Sequence, residues 1–302
     1  MMTTNTLPLI SIITPSFNQA RYLEETIISV LSQNYPNLEY IIIDGGSTDG
    51  SVEIIKKYES HLKYWVSEKD KGQSHAINKG FNKANGDILA WINSDDYYLP
   101  DAFNTIATAS IKFPNSLWFY AGTYWLSNNN QSYVGGIEDP EIASWYLKCL
   151  VSQPGVFWRR KIWDQVGSLV DENMHFSFDY DLWLKFAAFQ PIPQLITEPI
   201  AVFRLHEESK TTNYSSSFKT ENDVIRSRHK LLWDDPLVQK RIATLDKKRN
   251  AIKQIDKISQ QNTMLHGFSK AIQCVIQFPI IFKDRNLLYR LKKNIKKTMK
   301  KE

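Results

Sequence analysis

Apolar residues gather in short unbroken runs along the first hundred positions, and each run stops at a polar turn. Leu9-Ile10-Ser11-Ile12-Ile13-Thr14 stops at Pro15, and Glu39-Tyr40-Ile41-Ile42-Ile43 stops at Asp44. Leu62-Lys63-Tyr64-Trp65-Val66 runs out into Ser67, and Ile88-Leu89-Ala90-Trp91-Ile92-Asn93 into Ser94-Asp95-Asp96. Runs of strand length without polar alternation predict strands covered on both faces, as in parallel sheets. Helical patterns over 22–33 and 73–84 fall between them. This alternation fits crossover units, so the predicted fold class is α/β, Rossmann-like, with a mainly parallel sheet flanked by helices.

Open α/β sheets bind ligands just beyond the carboxyl ends of their strands. Asp44, Asp70, Asp95 and Asp96 all follow strand ends on that one edge. Two adjacent carboxylates repel each other unless a cation or ligand neutralises them. Magnesium sites combine one or two carboxylates with substrate phosphates, so Asp95-Asp96 reads as half of a metal-diphosphate site. A turn with a helix cap is the competing reading, because Asp is favoured at both.

Several longer motifs then carry a resemblance. Ser11-Ile12-Ile13-Thr14-Pro15-Ser16-Phe17-Asn18, Asp44-Gly45-Gly46-Ser47-Thr48-Asp49-Gly50-Ser51, Asp70 to Gly80 and Asn93-Ser94-Asp95-Asp96 occur in order. Phe178-Asp179-Tyr180-Asp181-Leu182-Trp183-Leu184 and Arg204-Leu205-His206 follow. Over about two-thirds of its length the chain resembles family 2 glycosyltransferases of the GT-A fold, of the bacterial surface-glycan type. The resemblance implies an inverting enzyme that moves a sugar from a nucleotide-diphosphate donor, a UDP-sugar first, to a glycan or lipid-linked hydroxyl. It implies that Pro15 and Phe17 flank the base, that Asp44, Asp70 and Asp95 hold the nucleoside, and that Lys71 adds charge near the phosphates. Asp96, with His206, would ligate Mn2+ or Mg2+, and Asp179 would be the general base. Three departures or loose ends accompany it. Phe178 stands where relatives carry Glu, His75 stands where many carry Asp, and Asp181 competes with Asp179. Trp158, Trp163 and Trp183 offer ring faces for sugars, against the commoner fate of core packing.

Composition sets the surroundings. At 302 residues the chain has room for a catalytic domain, read as 1–215, and a helical extension over 216–302, with a long helix starting at Pro236. Cys149 and Cys274 have no metal-ligand spacing and read as free thiols. Met1–Thr6 lacks the basic and apolar regions of a secretion signal, and the expectation is a cytoplasmic protein. Residues 283–302 hold nine basic and two acidic residues, a net +7, while the remainder carries −2. Leu288, Leu291, Ile295 and Met299 recur there at helical spacing among lysines. A basic amphipathic helix of this kind predicts peripheral contact with an anionic membrane, against the alternative of a helix packed on the protein. No recognition motif supports nucleic-acid binding. Two other functions fit parts of the pattern: a sugar nucleotidyltransferase, and a non-catalytic membrane-associated partner that binds sugar nucleotides. The glycine-free Thr14-Pro15-Ser16-Phe17-Asn18 argues against the first, and the retained Asp95, Asp96 and Asp179 against the second.

Overall fold

The computed structural model describes residues 7–127, 130–258 and 264–299. Met1–Thr6 and the tail residues Lys300, Lys301 and Glu302 lie outside that description. The chain divides into two compact units, 1–142 with 149–230, and 143–148 with 231–302.

All four predicted strands form in the first unit, as β1 (Ile10–Ser16), β2 (Leu38–Asp44), β3 (Tyr64–Ser67) and β4 (Ile88–Trp91). Between them run α1 (Ala20–Leu31), α2 (Ser51–Lys57) and α3 (Gln73–Phe81). Next come β5 (Tyr97–Tyr98), α4 (Ala102–Lys112), β6 (Trp118–Ser127), β7 (Asn130–Val134) and α5 (Ile142–Leu147). Then follow β8 (Val156–Arg159), α6 (Arg160–Gln165), α7 (Phe178–Ala187), β9 (Gln194–Leu205), α8 (Lys210–Asn213) and α9 (Ser215–Arg228). The sheet order is β3-β2-β1-β4-β8-β6-β9-β5, with β7 on β6. β1 to β4 pair in parallel, and β8 joins β4 and β6 antiparallel.

Register fixes the site. Ser16 lies across from Asp44 and Asp44 from Ser67, so three strands end together. Beside them β4 ends at Trp91, with Ile92 N–H donating to the Ile13 carbonyl at 2.9 Å. A Cβ on Gly80 would meet Ile13 Cγ2 at 2.5 Å, so this glycine lets α3 lie close on β1. The core is aromatic. Trp183 stacks on Trp91 (5.5 Å) and Trp118 (6.0 Å), and Trp158 sits 5.6 Å from Trp91. Trp158, Trp163 and Trp183 are all buried, so they pack the core and present no face to a sugar.

α9 lies within the first unit, and the second unit, which also takes in 143–148, resumes at Leu231, past the 215/216 boundary read from the sequence. It holds α10 (Pro236–Ile258), α11 (Met264–Gln277), α12 (Ile280–Lys283) and α13 (Arg285–Met299). Pro236 starts α10, as its fixed φ suits a first helical position. Ala251, Ile255, Ile258, Cys274, Ile281, Leu287 and Leu291 form this unit's core, and Leu288 and Ile295 pack against it. Leu288, Leu291 and Ile295 of the tail stripe therefore meet protein, which corrects the expectation of an apolar stripe free to enter a bilayer, while the Met299 side chain lies outside the described residues. Asn294 and Thr298 donate to the carbonyls of Ile255 (3.2 Å) and Ile258 (3.1 Å) and fix the packing. Lys292, Lys293, Lys296 and Lys297 remain exposed. Among the described residues no helix is long and apolar enough to cross a membrane.

Leu291 is 5% exposed. Leu291→Ala should destabilise the second unit by about 2–5 kcal/mol, the range for truncating a buried leucine. Urea unfolding followed by circular dichroism checks this; an unchanged transition would mean the stripe is not packed.

Candidate active site

A cavity of about 680 Å³ opens at the carboxyl ends of the parallel strands. Pro15, Ser16 and Phe17 line it from β1, Gly45 and Gly46 from β2, and Lys69 and Asp70 from the loop after β3. Gly72, Gln73 and Ala76 come from the start of α3, and Asn93, Ser94 and Asp95 from the end of β4. Phe203 of β9 and the segment 208–211 complete the wall.

Phe17 is 60% exposed, an aromatic ring left at the mouth. A Cβ on Gly45 would meet Asp70 Oδ2 at 2.8 Å and the Phe17 ring at 3.2 Å. Only glycine there leaves room for the ring and the carboxylate to share that wall. Asp70 is itself fixed by accepting the Gly72 N–H at 2.7 Å, and Gly72 has a φ of +116°, a conformation natural to glycine.

Asp44 differs from its expected role. It is fully buried and does not line the cavity. Its Oδ2 accepts from Gly46 N–H (3.0 Å), Ser47 N–H (2.9 Å) and Ser67 Oγ (2.6 Å), and its Oδ1 from Ser47 Oγ (2.5 Å). The carboxylate shapes the Gly45-Gly46-Ser47 wall and has little left for a ligand. Lys71 is exposed and outside the lining, whereas Lys69 and Lys210 belong to it.

Asp95 and Asp96 end the β4 turn in different surroundings. Asp95 lines the cavity, and its Oδ2 lies 3.0 Å from His206 Nε2. Asp96 is fully buried; Oδ1 accepts the Arg204 N–H (2.9 Å) and Oδ2 the Asn93 amide (3.3 Å). Burial, then the charge of Asp95, holds the Asp96 carboxyl well above the usual carboxylate range. The Arg204 guanidinium donates to the Asp95 carbonyl (2.8 Å), pairs with Glu25, and lies 4.5 Å from the Tyr97 ring centre. Thr26 Oγ1 of α1 donates to the carbonyls of Asp96 (2.6 Å) and Ser94 (3.0 Å). Bonds from α1 and from β9 thus fix the turn.

Asp179 does not line the cavity. It stands at the second position of α7 with Oδ1 accepting the Tyr180 N–H at 2.7 Å. Loss of surrounding water pushes it up to about 6, and the charge of Glu221 acts the same way. Lys210 joins the two regions, since Nζ donates to Gln73 Oε1 (3.0 Å) and to the His175 carbonyl (3.1 Å) just before α7. Gln73 in turn donates to Asn93 (2.7 Å), whose amide reaches Asp96. Sequence reasoning missed Lys210, which lies in no strand-end motif; its place four residues after His206 was the available signal.

Asp181 is buried and shared among Lys185 (2.9 Å), Arg228 (3.0 Å) and His229 (2.9 Å). Burial opposes ionisation, but the bond from His229 and the charge of Lys185 prevail and lower it to about 2. It is an anchor, and Asp179 is the carboxyl able to take up a proton near neutral pH. His75 Nδ1 accepts the Lys71 N–H at 3.4 Å, and its ring also acts on Glu68. Gln153, buried, donates to the Trp91 carbonyl (2.8 Å) behind the site.

Among the described residues no cluster of three or more His, Cys, Asp or Glu forms a metal cage. Asp95 meets His206 at the cavity edge, whereas Asp96 is fully buried with both oxygens accepting from Arg204 and Asn93, and neither Asp96 nor His206 lines the cavity.

The geometry can be set beside known proteins. Residues 11–134 match the model of glycosyl transferase family 2. The putative teichuronic acid biosynthesis glycosyltransferase TuaG of Bacillus subtilis is 42% identical over 103 residues, 32% of this chain and 40% of that protein. The Escherichia coli WfgD protein, a UDP-Glc:alpha-D-GlcNAc-diphosphoundecaprenol beta-1,3-glucosyltransferase, is 29% identical over 225 residues, 72% of this chain and 85% of that one. The structure of Staphylococcus aureus TarS 1–349 with UDP-GlcNAc matches with a TM-score of 0.59 at 14% identity, covering 96% of this chain and 89% of that one. The last likeness concerns the fold, which is of the GT-A type.

Asp44→Asn tests the wall. Replacing a buried carboxylate that accepts four hydrogen bonds should cost about 1.5–3 kcal/mol of stability without any ligand, the scale of bonds to a charged group. A variant as stable as the native protein by urea unfolding would return Asp44 to direct ligand contact.

Proposed function

We propose, from the match of residues 11–134 to the model of glycosyl transferase family 2, that the chain is an inverting, metal-dependent glycosyltransferase using a UDP-sugar. The observation that carries this reading is the cavity itself. One mouth presents the exposed Phe17 ring, three carboxylates (Asp70, Asp95 and Glu208) and two lysines at the edge where the fold receives ligands. The TarS complex with UDP-GlcNAc and the UDP-Glc in the WfgD name support uridine as the base.

In this reading Phe17 and Pro15 flank the base, and Asp70 takes hydrogen bonds from the nucleoside. Lys69 and Lys210 face the diphosphate. A bound Mg2+ or Mn2+ would be held by Asp96 with Asp95 and His206, and its chemistry is to neutralise charge on the departing diphosphate. Asp179 takes the proton from an acceptor hydroxyl as that oxygen attacks the anomeric carbon opposite the diphosphate, and the single displacement inverts the centre.

The diphosphoundecaprenol in the WfgD name supports a lipid-linked acceptor in surface-glycan synthesis. A protein of the cytoplasm meets such acceptors at the inner membrane face. The exposed Lys292, Lys293, Lys296 and Lys297 would attract anionic lipid by charge, without insertion of the packed stripe.

Two experiments test the chemistry. Because Asp179 must be ionised to act, transfer should rise with pH through about 6 and fall away below it. Asp179→Asn should remove transfer and spare UDP binding measured by calorimetry; near-normal turnover in that variant would overturn the base assignment. Chelation with EDTA should abolish turnover, and added Mn2+ or Mg2+ should restore it in the native protein but not in Asp96→Ala. Full turnover in chelator would remove the metal from the scheme.

A further inference from the structure

The turn leading into α7 is not held by its own residues. Glu221, on α9, lies under it with both carboxylate oxygens engaged. Oε1 accepts the His175 N–H at 2.8 Å, and Oε2 accepts those of Phe176 (2.9 Å) and Ser177 (2.7 Å). These are three consecutive donors immediately before the helix, of the kind that helix starts leave unsatisfied. The same surface of α9 grips the turn by packing, with Phe176 at 5.2 Å from the Tyr214 ring and 5.4 Å from that of Phe218.

Phe178, the first residue of α7, is buried and lies 6.2 Å from the Trp91 ring. It offers Asp179 no polar neighbour. Asp181 is committed to Lys185, Arg228 and His229. Lys210 touches the turn through the His175 carbonyl, and His175 directs its own exposed side chain to solvent. Glu221 is therefore the charged group that acts on Asp179.

We propose that Glu221 is a positioning residue for Asp179: its carboxylate fixes the 175–177 turn through three backbone bonds and lies near enough to the base to act on it. The proposal rests on the reading of Asp179 as the base. A like charge nearby disfavours the ionised form, so it strengthens Asp179 as a proton acceptor. The acid that this function needs comes from a helix 42 positions downstream, outside the first turn of α7. A neutral side chain at 221 would weaken the base even where the turn keeps its shape.

The sign of the test follows. Removing the charge of Glu221 should lower the proton affinity of Asp179. The full-length protein is labelled for carboxyl 13C NMR, and the Asp179 signal is identified by its loss in Asp179→Asn. In the native protein it should titrate near 6; in Glu221→Gln its midpoint should move down in pH, while Glu221→Asp, which keeps the charge, should hold it close to native. Hydrogen exchange at the amides of 175–177 should quicken in Glu221→Ala. UDP binding by calorimetry, unchanged in all variants, shows that the cavity is intact. If Glu221→Ala fails to fold, the Gln and Asp pair still decides. An Asp179 midpoint that stays put in Glu221→Gln overturns the proposal, as does unchanged exchange at 175–177. Transfer surviving in Asp179→Asn would sink the base assignment alone, because the titration reads the influence of Glu221 without turnover.

Discussion

Two neighbouring carboxylates, one of them out of reach of water, set the terms for this site. An ionised carboxylate in the protein interior is costly unless donors or cations answer it. Asp96 receives an Arg204 backbone N–H and an Asn93 amide, and its neighbour Asp95 receives His206. The side chain of Arg204 clamps the Asp95 carbonyl while its N–H holds Asp96, so one residue of β9 secures both. That requirement binds the last strand of the first unit to the turn after β4.

The parts of this architecture governed by local pattern were legible in the sequence. Four apolar runs bounded by turns became β1 to β4 with ends shifted by one to two residues, because burial on both faces leaves a continuous apolar signature. Phe17, Asp70 and Asp95 were placed at the cavity for the same reason: they follow strand ends, and strand ends in a parallel sheet coincide. What failed depends on which partner meets a side chain. Asp44 sits at the right edge, but sequence does not show that Ser47 and Ser67 saturate it. Lys71 and Lys69 are two residues apart, and loop geometry, invisible in the sequence, turns only Lys69 into the wall. The tail pattern is the same for a helix facing lipid and a helix facing α10, so spacing alone could not separate them.

Aromatic packing explains why the site tolerates a phenylalanine at 178. Trp183 and Phe186 of α7 join Trp91 and Trp158 in one aromatic cluster, and Phe178 extends it to the first turn of the helix. A carboxylate at that position would be buried against the Trp91 ring, a placement that costs free energy. Rigid rings give α7 a fixed seat, as the proposed role of Asp179 requires. The polar support then has to come from outside the aromatic mass, and α9 is the element adjacent to the turn that can supply it.

Helix α7 thereby carries two aspartates whose surroundings drive them apart. Asp181 meets one lysine, one arginine and one histidine and drops to about 2; Asp179 loses water, gains the charge of Glu221 and rises to about 6. Residues two apart on a helix point in different directions, so one aspartate can turn inward to a cationic cluster while the other stays at the margin. Environments that separate two like groups in this way divide anchoring from proton transfer. The anchor matters to the other role: Asp181 ties α7 to Arg228 and His229 at the end of α9, and Glu221 ties the preceding turn to the middle of α9. Two attachments along one helix define a line, and Asp179 lies between them. Its position is therefore set by α9 as much as by the helix that bears it.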